Sequence, residues 1–148
     1  MEAEKIDEKK IFDPNNNANE ALQRTLATID RLGLNENLME LETLGYTTVK
    51  GVLNADKVER TKRAILDRAE KTSGKKIDLD TATEKDFDGM TYLHYMLYDD
   101  VIFEEVMMEE KPLALITYLL GESCHLSSIG CHFKGMGEDG VVPLHSDA

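Results

Sequence analysis

The sequence predicts an α+β protein, with helices filling the first two-thirds and strands gathered at the end. Three observations point there. Leu22, Leu26 and Ile29 recur at i, i+4 and i+7, and Val58, Lys62, Ile65 and Ala69 line one side of a later amphipathic segment. Glycines at 33, 45, 74 and 121 stand where each helical pattern ends. Residues 124–134, CHLSSIGCHFK, and the segment from Val141 to Asp147 read as strands on either side of a glycine-containing turn, Gly135 to Gly140.

The elements follow in order. Residues 1–17 are mostly charged and end in the turn-favouring run Asp13-Pro14-Asn15-Asn16-Asn17, so they are expected to be disordered. Residues 18–148 then form one domain. Its first helix begins near Asn19 and stops at Gly33, and a second runs from Glu36 to Leu44. Tyr46-Thr47-Thr48-Val49 is β-branched and aromatic, which predicts a short strand. Asn54 caps the next helix, and Ser73-Gly74 ends it. A polar loop covers Lys75 to Gly89, and Tyr92 to Tyr98 is read as helical. Pro112 suits the first turn of a helix running to Gly121. A β-layer that starts near residue 124 has no room to close within 148 residues, so the chain is expected to be the N-terminal part of a larger domain.

Composition narrows the partners. The formal charge is -12, which repels phosphate backbones and anionic lipid surfaces. Neither nucleic acid nor membrane is therefore an expected partner. The longest apolar stretch, Leu113 to Leu120, is too short to span a bilayer. The opening MEAEKIDEKK is charged and resembles no secretory signal, so a cytoplasmic location is expected. Cys124 and Cys131 are too few for a disulfide scaffold and are read as reduced.

The motif that carries chemistry is His145-Ser146-Asp147. On a strand, residues i and i+2 share a face, so an imidazole and a carboxylate at 145 and 147 can meet one metal ion. With a second imidazole they make the facial triad of non-haem Fe(II) oxygenases, which leaves open positions for a bidentate cosubstrate and O2. Alone, the tripeptide is a weak signal. A surface loop or a polar strand end holds it equally well.

Its surroundings add to it. Leu44-Gly45-Tyr46-Thr47-Thr48-Val49-Lys50-Gly51-Val52-Leu53-Asn54, with the charged amphipathic helix that follows, resembles the opening of phytanoyl-CoA dioxygenase-like proteins. Leu119-Leu120-Gly121, the segment from Leu126 to Lys134, the glycine turn and His145-Ser146-Asp147 then follow in the order of that family. The resemblance implies a jelly-roll, the cupin-like double-stranded β-helix, begun but incomplete in this chain. It also implies Fe(II) held by His145 and Asp147, with 2-oxoglutarate as cosubstrate. Small-molecule substrate and O2 would be the partners, with succinate and CO2 released as a C–H bond is hydroxylated. In the family, the strand before the metal ligands lines the cosubstrate pocket. Ser128, Gly130, His132 and Lys134 share a face by alternation, which makes His132 the candidate cosubstrate contact or else an ordinary strand residue. Related halogenases lack the carboxylate, so Asp147 implies hydroxylation. The family's distal His and its carboxylate-binding Arg have no counterpart here, and the chain alone is expected to be inactive.

Other signals carry less. Gly135-Met136-Gly137-Glu138-Asp139-Gly140 fits a dinucleotide fingerprint, but Val141-Val142-Pro143 follows where a helix is required. Cys124, His125, Cys131 and His132 do not converge as a tetrahedral zinc set. Tyr92, Tyr95 and Met96 read as core packing, or alternatively as a wall of the substrate pocket. Glu104 to Lys111 reads as a solvated acidic face. A rival reading of the whole chain is an acidic helical protein-interaction module without metal.

Overall fold

The computed structural model describes residues 14–83, 86 and 92–132. In chain order its elements are α1 (Pro14–Arg31), α2 (Asn35–Leu44), α3 (Ala55–Ser73), β1 (Tyr92–Leu93), a 3-10 turn (Met96–Tyr98), α4 (Ile102–Met107), α5 (Glu110–Leu120) and β2 (Cys131–His132). They fall into two compact units. Within the described residues, 14–53 and 107–125 form the first, and 54–106 with 126–132 form the second.

In the first unit, α1 begins at Pro14, inside the stretch expected to be disordered. Proline's fixed φ is suited to a first helical turn. Its end is closed by a left-handed glycine. The Gly33 N–H donates to the Asp30 carbonyl and the Leu34 N–H to the Ile29 carbonyl, both at 3.0 Å. That pair of bonds requires the residue past the helix to turn left-handed, and Gly33 does so at φ +68°. The turn brings Ile29 and Leu34 together, 0% and 3% exposed, against Ala114 and Leu115 of α5. Arg24 closes the pairing of α1 with α5, donating to both carboxylate oxygens of Glu122 at 3.0 and 2.6 Å. Tyr118 Oη donates to Glu42 at 2.7 Å, tying α5 to α2.

In the second unit, Asn54 caps α3 as its sequence predicts: its side chain accepts from the Lys57 N–H at 2.8 Å. Ala64 and Ala69 of α3 pack with Ile77, Leu93, Met96, Ile102 and Phe103 as the core. Arg60 reaches from α3 to α4 and grips Glu105 with two hydrogen bonds of 3.0 Å. The Asp100 side chain accepts from the Ile102 N–H at 2.8 Å and so starts α4.

The expected class is corrected by these elements. No beginning of a jelly-roll is present among the described residues, which are helical apart from one two-stranded antiparallel ribbon. Tyr46 to Val49 has strand-forming side chains but no neighbouring strand among the described residues. Instead Asn37 donates to Thr47 Oγ1 at 2.8 Å and to the Thr48 carbonyl at 3.3 Å, and Thr47 donates to Glu40 at 2.5 Å. Those bonds tie the extended segment to α2, through the Thr47 hydroxyl and one backbone group, the Thr48 carbonyl. Of residues 124–132, only Cys131 and His132 find a strand partner. That partner is Tyr92–Leu93, from the segment read as helical. The acidic run read only as a solvated face begins in α4, which buries Ile102 and Phe103, shows Glu104 to solvent and holds Glu105 against Arg60.

Several carboxyls are held below their ordinary range by what they accept. Arg24 does this to Glu122, Arg60 to Glu105, and Lys76 together with the Ile77 N–H to Glu70. A depressed carboxyl stabilises the fold above its unfolded pKa, near about 4.3 for Glu, and that contribution is lost as pH falls through the folded value. The melting temperature should therefore hold from neutral pH to about 5 and fall below about 4.5. Glu105 and Glu122 are exposed enough for solvent to screen them, so their share of the slope should be shallow, while Glu70 is largely covered. Glu105→Gln should flatten it further; an unchanged acid limb in thermal melts would remove the Arg60 pair from this account.

Candidate functional site

The ribbon of the second unit is where the candidate chemistry can be described. Tyr92 pairs with His132 and Leu93 with Cys131, antiparallel. The pairing continues past the strands, where the Met96 N–H donates to the Ile129 carbonyl at 3.0 Å. Alternation then sorts the side chains. Leu93, 5% exposed, faces the core, and Ile129 and Cys131 pack against that core from the other strand. Burial pushes the Cys131 thiol up from its ordinary value, which disfavours a thiolate there.

The opposite face carries rings. The Tyr92 ring lies 4.2 Å from His94, edge-on, and 4.3 Å from His132, tilted. His94 in turn lies 5.9 Å from the Tyr95 ring. This stack depends on a glycine. A Cβ at Gly130 would stand 2.2 Å from Tyr92 Oη and 2.4 Å from its Cζ. The ring therefore occupies the space that any other residue at 130 would fill. His94 and His132 stay exposed, and neither side chain has a hydrogen-bond partner among the described residues.

The turn beyond β1 is strained. Tyr95 takes φ +57°, left-handed, which costs a non-glycine residue about 1–2 kcal/mol. Burial of Met96 at 1% exposure and its bond to Ile129 hold it there. Tyr92, Tyr95 and Met96 therefore do not share a helical face. Met96 is core, Tyr92 belongs to the ring stack, and Tyr95 is 62% exposed.

Of the residues singled out in the sequence, His132 is placed at the ribbon's exposed face. His145 and Asp147 lie outside the described residues, as does the glycine-rich turn from Gly135 to Gly140. Among the described residues no three His, Cys, Asp or Glu side chains converge as a metal site. The described residues thus include His132, the candidate cosubstrate contact, and no complete ligand set. The partnership of Tyr92, His94 and Gly130 with His132 is not apparent from the sequence while Tyr92 to Tyr98 is read as helix. The polar-apolar-polar alternation of Tyr92-Leu93-His94 is the signal that marks a strand instead.

A cavity of about 420 Å³ lies in the first unit, lined among others by Leu22, Arg24, Tyr118 and Glu122. Its charged groups, Arg24 and Glu122, are spent on each other. It offers no set of free polar groups converging on a ligand, and the ribbon is the better candidate. No described helix is long and apolar enough to cross a membrane. No protein-family model, curated protein or solved structure matches this chain.

Proposed function

We propose that the chain belongs to a non-haem Fe(II)- and 2-oxoglutarate-dependent dioxygenase that hydroxylates a small organic substrate. The observation that carries this reading is His145-Ser146-Asp147, standing after Leu119-Leu120-Gly121 and the segment from Leu126 to Lys134 in the order of the phytanoyl-CoA dioxygenase-like family. The reading rests on that sequence order and on no β-architecture. His145 and Asp147 would hold the metal, with the carboxylate offsetting part of its charge. The bound metal would supply O2 activation at its open positions. His132 would meet a carboxylate of the cosubstrate, and its exposure on the ribbon leaves an imidazole N–H available to donate.

The complete protein, given Fe(II) and 2-oxoglutarate under air, should release succinate. His145→Ala and Asp147→Ala should each weaken iron binding by about tenfold or more and abolish succinate formation. Absence of succinate, together with iron affinity unmoved by either substitution, would sink the reading.

One observation favours a second reading, an acidic helical interaction module. Ile116, Leu119 and Leu120 form an i, i+3, i+4 apolar face on α5, exposed at 44%, 59% and 68%. Melting separates the two. Saturating Fe(II) should raise the melting temperature of a metal protein, whereas an interaction module should not respond.

A further inference from the structure

We propose that Tyr92 is a positioning residue for His132, and that Gly130 is the opening that lets it act. This rests on the reading of His132 as a cosubstrate contact. The Tyr92 ring is packed over Gly130 with its centroid 4.3 Å from the His132 ring, and His94 backs it edge-on at 4.2 Å. An exposed histidine on a two-residue strand has several side-chain rotamers open to it. An aromatic neighbour at this distance favours the stacked rotamer by about two- to tenfold. Tyr92 therefore stores part of the ordering that a bound carboxylate otherwise has to impose, which lowers the entropic cost of binding. The hydroxyl takes no part in this, since the contact is made through the ring.

Three measurements test it. In the metal-free chain, the His132 Hε1 proton should be displaced by the Tyr92 ring current and should show nuclear Overhauser contacts to that ring. Absence of both in the unaltered protein overturns the proposal without any variant. In the Mn(II)-loaded complete protein, which holds 2-oxoglutarate without turnover, Tyr92→Leu should weaken 2-oxoglutarate binding about three- to tenfold. Tyr92→Phe should stay within twofold. With iron, KM for 2-oxoglutarate should rise in Tyr92→Leu by the same factor while kcat stays within about twofold. Equal binding by Tyr92→Leu and the unaltered protein overturns the positioning role while succinate formation leaves the dioxygenase reading standing. Loss of affinity in Tyr92→Phe as well overturns it too, because the hydroxyl and not the stack would then be responsible. Failure of the unaltered protein to bind 2-oxoglutarate overturns both.

Discussion

Phe103→Ala should lower the unfolding free energy of the second unit by about 3–5 kcal/mol, the usual cost of emptying a buried aromatic site. Phe103 is 4% exposed and sits beside Ile102 in α4, in a core shared with Ala64, Ala69, Leu93 and Met96. The neighbours are poorly placed to collapse into the gap. Two of them are alanines on α3, already close, and Met96 is pinned by its backbone bond to Ile129. The six-residue α4 is otherwise held by Ile102, by Val106 packed against the same core and by the weak, exposed Arg60 pair with Glu105. Urea denaturation followed by far-UV circular dichroism measures the loss. A change under about 1 kcal/mol would mean that α4 is not anchored through Phe103.

Gly130→Ala is the second large effect, and it comes from addition and not from deletion. The new methyl group would stand 2.2 Å from Tyr92 Oη and 2.9 Å from the Leu93 carbonyl oxygen. The ring can swing away, but the carbonyl is backbone within the ribbon and cannot move without breaking the register of Tyr92 with His132. Overpacking of this kind costs about 1–3 kcal/mol, and more where backbone must shift. Tyr92→Ala in the same chain removes the side-chain clash and leaves the carbonyl contact. A double-mutant cycle should therefore show the pair non-additive, with part of the Gly130→Ala cost recovered. Strict additivity would mean that the ring does not lie over Gly130.

The sequence was legible where a local rule decided the outcome. Gly33, Gly45 and Gly74 each end a helix in the left-handed conformation, Asn54 caps α3, and Pro112 falls in the first turn of α5. Local chemistry at these positions needs no knowledge of the rest of the fold. It failed where a partner distant in sequence decided. Tyr92–Leu93 is a strand because Cys131–His132 lies beside it, and Tyr46 to Val49, without a strand partner among the described residues, is tied instead to Asn37 of α2. At Tyr92-Leu93-His94 the period-2 pattern agrees with that pairing, but three residues are too few to set it against a helical reading. For the candidate site, alternation placed His132 and Gly130 on one face, and the ribbon agrees. The aromatic company of His132 came from across the sheet and could not be read along one segment.

The pairing of α1 with α5 has a consequence for how the chain acquires its structure. Arg31 and Glu110 meet at 2.5 Å although 79 residues apart in sequence, and Arg24 and Glu122 meet across 98. Closing a loop of that length costs about 4 kcal/mol of chain entropy beyond a fixed constant. Leu32, Leu38, Leu41 and Val49 pack against this cluster from within residues 14–53, but two of its four buried members, Ala114 and Leu115, come only with α5. The first unit thus cannot be completed until the last residues of α5 have been made, whereas α3 and α4 lie entirely within the intervening segment. During synthesis the N-terminal helices must wait with part of their apolar stripe uncovered, and the second unit, whose ribbon needs Cys131–His132, is completed later still. An interrupted polypeptide ending before Pro112 would expose that stripe to aggregation and to proteases.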